Sequence, residues 1–241
     1  DISDYRIPDS LKRDRRSGGK EFLASMGIYI FDAALMEEAL EGDDNDFGKD
    51  VIPRILGKYP VNAYLFDGYW EDIGTIRSFY EANLNLTSIA PEFNFYDEQV
   101  PIFTHRRNLP ASKLNYCTLN RALTADGCII TNASIANSIV GIRTVIESGA
   151  SLDGVVCMGA DYYENDEQRK ANLEKGVPNI GIGGGTIIKG AIIDKNARIG
   201  SNCRIGIDEK RRQDGDYGTW HVVDGIIVIS KSAVVQPGTT I

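Results

Sequence analysis

Aliphatic residues that recur every six places constrain this chain more than any other feature of it. They fall at Leu123, Ile129 and Ile135, six apart, and a five-residue step leads to Val140. Steps of six resume through Ile146 and Leu152. The count is taken up again at Ile182 and Ile188, takes five residues to Ile193, and continues through Ile199 and Ile205. It ends at Ile229, Val235 and Ile241. Fourteen positions in register, apart from two five-residue steps, do not arise from ordinary β-rich sequence with accidental spacing. A hexapeptide repeat builds a parallel β-helix: each hexad gives one short strand and turns its aliphatic residue into a narrow interior. Successive coils then stack at the ~4.8 Å spacing of paired strands. Gly and Asn are expected at the corners, where φ must be unusual. Two charged interruptions, 159–179 and 208–223, are expected to bulge out as loops.

Before the repeat the pattern is α/β. Residues 1–21 alternate charges around Ser-Gly-Gly and read as a mobile lead-in, with at most a short amphipathic turn from Ser10 to Arg16. Ser25–Phe31 and Val61–Phe66 read as strands, from their apolar, β-rich composition. Ala33–Leu40 has helical spacing, Asp46 caps a second helix with Val51, Ile52 and Ile55 on one face, and Pro53 is tolerated in its first turns. A third helix, Thr75–Leu84, carries the stripe Ile76, Phe79, Tyr80 and Leu84. Strand–helix–helix–strand–helix is too little for a complete doubly wound sheet. The division is therefore 22–88 as the end of an α/β domain, 89–113 as a proline-spaced linker, and 114–241 as the β-helix.

Charge and composition narrow the function. The 241 residues carry 26 basic and 34 acidic side chains, a net charge of −8. An acidic chain lacks the basic face that nucleic acids and membrane surfaces require, so neither is an expected partner. No apolar run approaches the ~20 residues that span a bilayer, and no secretory leader is legible, so the expected compartment is the cytoplasm. Cys117, Cys128, Cys157 and Cys203 lie far apart without a CxxC pair, which disfavours a zinc site or redox dithiol.

The densest polar and aromatic cluster is Asp67-Gly68-Tyr69-Trp70-Glu71-Asp72-Ile73-Gly74-Thr75, at a strand-to-helix junction of the kind that binds ligands in α/β sheets. Trp70 offers a face for a sugar ring, or a core side chain. Glu71 and Asp72 are hard oxygen donors suited to Mg²⁺ shared with phosphates, while Asp72 also reads as a helix cap. Ser25 and Gly27 open a strand, and a glycine there permits close approach of a ligand. Gly181-Ile182-Gly183-Gly184-Gly185-Thr186 is glycine-rich, yet Ile182 sits in hexapeptide phase, so corner glycines explain it better than a phosphate loop. His105, Arg106, Arg107, Lys195 and Lys231 are scattered cations: solvated charges, or an anion site if they converge. His221 is the residue that a β-helix acyltransferase would use as general base.

The segments ASMGIYIFD (24–32), NDFGKDVIP (45–53), DGYWEDIGTIRSFYEANL (67–84), MGADYYEND (158–166), IGIG (180–183) and AIIDKNARIG (191–200) resemble glucose-1-phosphate adenylyltransferases. The likeness is strongest to the plant and cyanobacterial branch and runs from about Phe22 to Ile241. It implies an α/β remnant of a Rossmann-like nucleotidyltransferase domain followed by an all-β left-handed parallel β-helix. It implies the Mg²⁺-dependent conversion of ATP and glucose 1-phosphate to ADP-glucose and pyrophosphate, in glycogen or starch synthesis. By motif, Asp72 corresponds to the family's metal-binding aspartate and Ser25 to a sugar-phosphate contact, with Gly27, Trp70 and Glu71 in the same pocket. Lys195 and Lys231 correspond to lysines that bind the allosteric activator 3-phosphoglycerate, and Arg107, beside His105, to an anion-binding arginine. Family members are homo- or heterotetramers, and in plants the compartment is the plastid stroma.

The family's glycine-rich GGGxGTRL loop, its central catalytic aspartate and its Glu-Lys-Pro lysine have no counterpart here. The expectation is an incomplete C-terminal portion that does not make ADP-glucose alone. The runner-up is a regulatory or assembly subunit without catalysis.

Overall fold

The computed structural model describes residues 24–208 and 213–241, and the expected lead-in over 1–21 lies outside them. The chain divides into two compact units, with the boundary between Tyr69 and Trp70. In the first, helix α1 (Ala33–Ala39) starts at Asp32, whose Oδ1 accepts from the N–H groups of Ala34 and Leu35 at 3.0 and 3.3 Å. Asp46 accepts from Lys49 N–H at 2.8 Å and caps a π-helical turn, Phe47–Val51, that runs on as α2 (Ile52–Ile55). Pro53 falls in the first turn of α2, where a missing N–H costs little. Ala39, Val51 and Ile55 are buried together, with Phe31, Phe47, Ile52 and Tyr59 packed against them.

The strands expected over Ser25–Phe31 and Val61–Phe66 do not form, and Ile28, Ile30 and Tyr64 remain exposed. A strand exists by bonding its N–H and C=O groups to a neighbour, and no described residue before Lys113 belongs to a strand.

The second unit holds α3 (Ile76–Asn85) and the β-helix. Thr75 caps α3 reciprocally: its Oγ1 accepts from Ser78 N–H at 3.0 Å, and Ser78 Oγ accepts from Thr75 N–H at 3.2 Å. The stripe Ile76, Phe79, Tyr80 and Leu84 lies on Val156, Ile192 and Ile226, which face outward from the coils. Tyr80 donates to Gly154 O and Arg77 to Asp224 O, each at 2.6 Å.

Among the described residues fourteen strands form the sheets of this unit. They are β1 (Lys113–Asn115), β2 (Thr118–Thr124), β3 (Ile129–Thr131), β4 (Ser134–Val140), β5 (Val145–Ile146), β6 (Ser151–Cys157) and β7 (Gly181–Ile182). Then follow β8 (Ile187–Ile193), β9 (Arg198–Ile199), β10 (Arg204–Ile205), β11 (Gly215–Asp216), β12 (Trp220–Val223), β13 (Ile226–Ile229) and β14 (Val234–Val235). One sheet runs β1-β3-β5-β7-β9-β14, all parallel. The other stacks β2, β4, β6 and β8 in parallel, and each of these four strands bends once at Arg121, Asn137, Gly154 or Gly190, all with positive φ. The bend splits that sheet into two faces, so each coil has three. A second corner column holds Tyr116, Asn132, Gly149, Gly185, Asn202 and Gly238, again at positive φ.

Register places like on like. Ile135, Leu152, Ile188 and Ile205 align across β4, β6, β8 and β10, and Ile130, Ile146, Ile182, Ile199 and Val235 align on the other sheet. Twelve of the fourteen hexapeptide positions are buried. Leu123 and Ile129 are not: in the first coil the core residue is Ile130, fully buried, while Ile129 is 37% exposed. Thr124 pairs with Val140 and Ile130 with Ile146, so two five-residue steps flank Ile135 where the repeat had been counted one place early.

Neither interruption is a plain loop. The first contains α4 (Asp166–Lys175), capped reciprocally by Asn165 and Gln168 and closed by Gly176 at φ 64°. The second contains β11 and β12, antiparallel to each other, with β12 antiparallel to β13, so they widen the sheet beside β8. Among the described residues no helix is long and apolar enough to cross a membrane.

Candidate functional site

Lys195 and Lys231 leave the ends of β8 and β13 at the same corner of consecutive coils. Ser232 N–H donates to Lys195 O at 2.9 Å, so the lysines stand one rung apart. Both ammonium groups turn to one carboxylate: Lys195 Nζ lies 3.2 Å from Asp161 Oδ1 and Lys231 Nζ 3.8 Å from Asp161 Oδ2. Asn196 grips the same residue twice. Its Nδ2 donates to Asp161 Oδ2 at 2.9 Å and its Oδ1 accepts from Asp161 N–H at 2.8 Å. The Asn196 hydrogen bond and then Lys195 hold the Asp161 carboxyl below its ordinary range. Asp161 carries one negative charge against the two lysines that it bridges.

His105, Arg106 and Arg107 lie exposed in the segment before β1. No ion pair or hydrogen bond joins them to Lys195, Lys231 or Asp161 among the described residues. Of the five cations read from sequence, Lys195 and Lys231 converge on Asp161, while His105, Arg106 and Arg107 are exposed.

The sugar-phosphate candidates fall in both units. Ser25 Oγ accepts from Gly27 N–H at 3.2 Å and lies 3.3 Å from the Tyr29 hydroxyl, with Gly27 at φ 68°. Trp70 is 43% exposed and belongs to no buried cluster, so it is not a core residue of the second unit. Asp72 is not the helix cap, a role Thr75 fills; its Oδ1 accepts from Gly74 N–H at 2.9 Å. Among the described residues no three His, Cys, Asp or Glu side chains cluster to hold a metal. Asp72 and Glu71 thus offer oxygen donors of the right chemistry without composing a closed cage.

Sequence reasoning missed a groove of about 360 Å³ between the first insertion and the face formed by β5, β7 and β9. Arg143, Tyr162, Tyr163, Arg169 and Pro178 line it. The Arg143 guanidinium stands 6.0 Å over the Tyr163 ring, and Tyr163 donates to Gly127 O at 2.7 Å. Gly181, Gly183 and Gly185 are stacking glycines: a Cβ on Gly183 would lie 2.6 Å from Ser201 N. His221 sits on β12 with Nδ1 3.3 Å from Asp216 Oδ1.

Stacked three-faced coils with helical decoration define the class as a parallel β-helix protein preceded, among the described residues, by a helical segment. Residues 107–240 match the family model for the GLGC left-handed parallel beta-helix domain, and residues 14–89 match that for nucleotidyl transferase. The small subunit of glucose-1-phosphate adenylyltransferase, chloroplastic/amyloplastic, from Triticum aestivum is 42% identical over 234 residues. That alignment covers 95% of this chain and 50% of the wheat protein, so the chain spans about half the length of the curated relative it matches. The chain belongs to the glucose-1-phosphate adenylyltransferase family.

Proposed function

We propose that this protein serves the synthesis of ADP-glucose and pyrophosphate from ATP and glucose 1-phosphate, with its β-helix as the regulatory and assembly part. The observation that carries this reading is the order of the two family matches, nucleotidyl transferase then β-helix, on a chain 42% identical to the wheat enzyme subunit. Attack of a sugar phosphate on the α-phosphorus of ATP requires in-line positioning and charge neutralisation rather than a side-chain nucleophile. In this reading Ser25 and Gly27 contact the sugar phosphate, and Trp70 and Glu71 are substrate-binding residues. Asp72 contributes one carboxylate to Mg²⁺, an ion that neutralises phosphate charge and is commonly held by one or two carboxylates plus substrate oxygens.

Lys195 and Lys231 form the effector site for a phosphorylated metabolite, with Arg107 and His105 as further anion contacts. Their convergence on one carboxylate supports the lysine pair. The assembly is a homo- or heterotetramer, in the cytoplasm or the plastid stroma; the wheat relative is named chloroplastic/amyloplastic.

This chain alone does not turn over. No described residue before Lys113 forms a strand, so the described residues of that part offer no sheet edge on which a nucleotide would be held. That observation also favours a second reading, a non-catalytic subunit that assembles with a catalytic one. A pyrophosphate-release assay on the 241-residue chain, with ATP, glucose 1-phosphate and Mg²⁺, tests both. The expected rate is background, rising when a nucleotide-binding subunit of the family is added. Turnover by the chain alone overturns the account of its α/β part, and no rise with any partner removes the assignment to ADP-glucose synthesis.

A further inference from the structure

We propose that Asp161 is a built-in counter-ion of the lysine corner, standing where the anionic effector binds so that a phosphate must enter against its charge. The inference rests on the reading of Lys195 and Lys231 as an anion site and adds the element that sets its affinity. The coil geometry makes the need for an anion plain. Adjacent rungs stand ~4.8 Å apart, so two ammonium groups projecting from one corner repel unless a negative group lies between them. Asp161 supplies that group, bridging to both at 3.2 and 3.8 Å.

The bridge is incomplete by one charge. A carboxylate carries one negative charge on two oxygens, whereas a phosphate monoester carries close to two on three, enough to neutralise both lysines and bond each separately. The three side chains are partly exposed, between 31 and 59%, so the corner is open to a solute. Asp161 cannot drift away, because Asn196 holds it through both its carboxylate and its N–H. An entering phosphate therefore meets a fixed like charge within a few ångströms. Asp194, the chain neighbour of Lys195, is a further carboxylate at this corner, its Oδ1 accepting from Lys195 N–H at 2.6 Å.

The test titrates inorganic phosphate and methyl phosphate into the 241-residue chain by calorimetry at fixed ionic strength. Asp161→Asn removes the charge and keeps an oxygen for Asn196; Asp161→Ser removes it in a second way should the first variant fold poorly by circular dichroism. Either is expected to bind phosphate about tenfold more tightly than the parent, the scale of one like charge near 4 Å in a partly solvated site. Asp161→Glu, which keeps the charge, is expected to show no such gain, and Lys195→Gln or Lys231→Gln in the Asp161→Asn background to abolish it. Equal affinity with and without Asp161, still lost on changing the lysines, overturns the inference while leaving the anion site standing. Weaker binding by Asp161→Asn overturns it too, making Asp161 a positioning residue. Binding that ignores the lysines, or none in any variant, removes the anion site and the inference together.

Discussion

Arg198 Nη2 lies 2.7 Å from Glu164 Oε1, and this pair of a buried carboxylate and a half-buried guanidinium ties the first insertion to the β-helix. Arg198 stands on β9 and also donates to Pro178 O at 2.8 Å, so one guanidinium holds both ends of the inserted segment. Glu164 accepts in addition from Asn172 Nδ2 at 2.7 Å and from Ile180 N–H at 2.8 Å. Breaking a fully buried pair from one side costs roughly 3–5 kcal/mol, and with Arg198 17% exposed and still bonded to Pro178 O that figure is the upper end here. Glu164→Ala is expected to lose stability on that scale in chemical denaturation and to expose α4 to proteolysis first. Retention of the parent's midpoint would show that the insertion is held by its own capping instead.

The same carboxyl sets a pH dependence. Burial pushes the Glu164 pKa up, but the bonds from Ile180, Asn172 and Arg198 outweigh it, and the net direction is down. A carboxyl lowered in the folded state adds stability above its unfolded pKa, near 4.3, and loses it as pH falls through the folded value. Thermal unfolding followed from pH 6 downward is therefore expected to show a steeper fall for the parent than for Glu164→Gln. Parallel curves would mean that Glu164 titrates alike folded and unfolded.

The interior was legible because it repeats, and the first coil escaped because it does not repeat cleanly. Ile129 and Ile130 are adjacent isoleucines, and a six-residue count cannot choose between them; only the pairing of Ile130 with Ile146 does. The helix α4 was hidden for another reason: DEQRKANLEK has no apolar stripe, and its signals were the Asn165–Gln168 box and Gly176. The lysine corner was visible only as residue types, since Asp161 and Lys195 are thirty-four residues apart and meet through the stacking of coils. The apolar runs at 25–31 and 61–66 show the limit of pattern, because a strand is made by its neighbour.

That one-residue phase is testable. Ile130→Ala removes a fully buried side chain and is expected to cost about 2–5 kcal/mol, while Ile129→Ala, 37% exposed, is expected to cost under about 1 kcal/mol. Urea unfolding of the two variants side by side checks it, and equal losses would return the core position to an undefined choice between them.

The glycine-rich run is expected to behave as a stacking element and not as a ligand loop. A Cβ at Gly183 would fall 2.6 Å from Ser201 N and 2.7 Å from the Gly200 carbonyl carbon, both backbone atoms of the next coil. Gly183→Ala therefore forces adjacent rungs apart, at a cost of roughly 1–3 kcal/mol, the usual penalty of overpacking. The expected signature is a lowered melting temperature with phosphate affinity at the lysine corner unchanged. A parent-like melting curve with lost phosphate binding would place the anion at this run instead.

Thiol chemistry should follow burial. Cys128, Cys157 and Cys203 point into the coils, and burial pushes the thiols of Cys128 and Cys157 up, away from the reactive thiolate. Cys203 Sγ donates to Gly200 O at 3.2 Å and to Gln236 O at 3.3 Å, an anchored thiol in a dry interior. Cys117 is only partly buried, in the connection between β1 and β2. Brief treatment of the folded chain with a maleimide is expected to label Cys117 alone, the other three reacting only in denaturant. Peptide mapping by mass spectrometry decides it, and rapid labelling of Cys157 in the folded chain would mean that the coils open where the packing is closed.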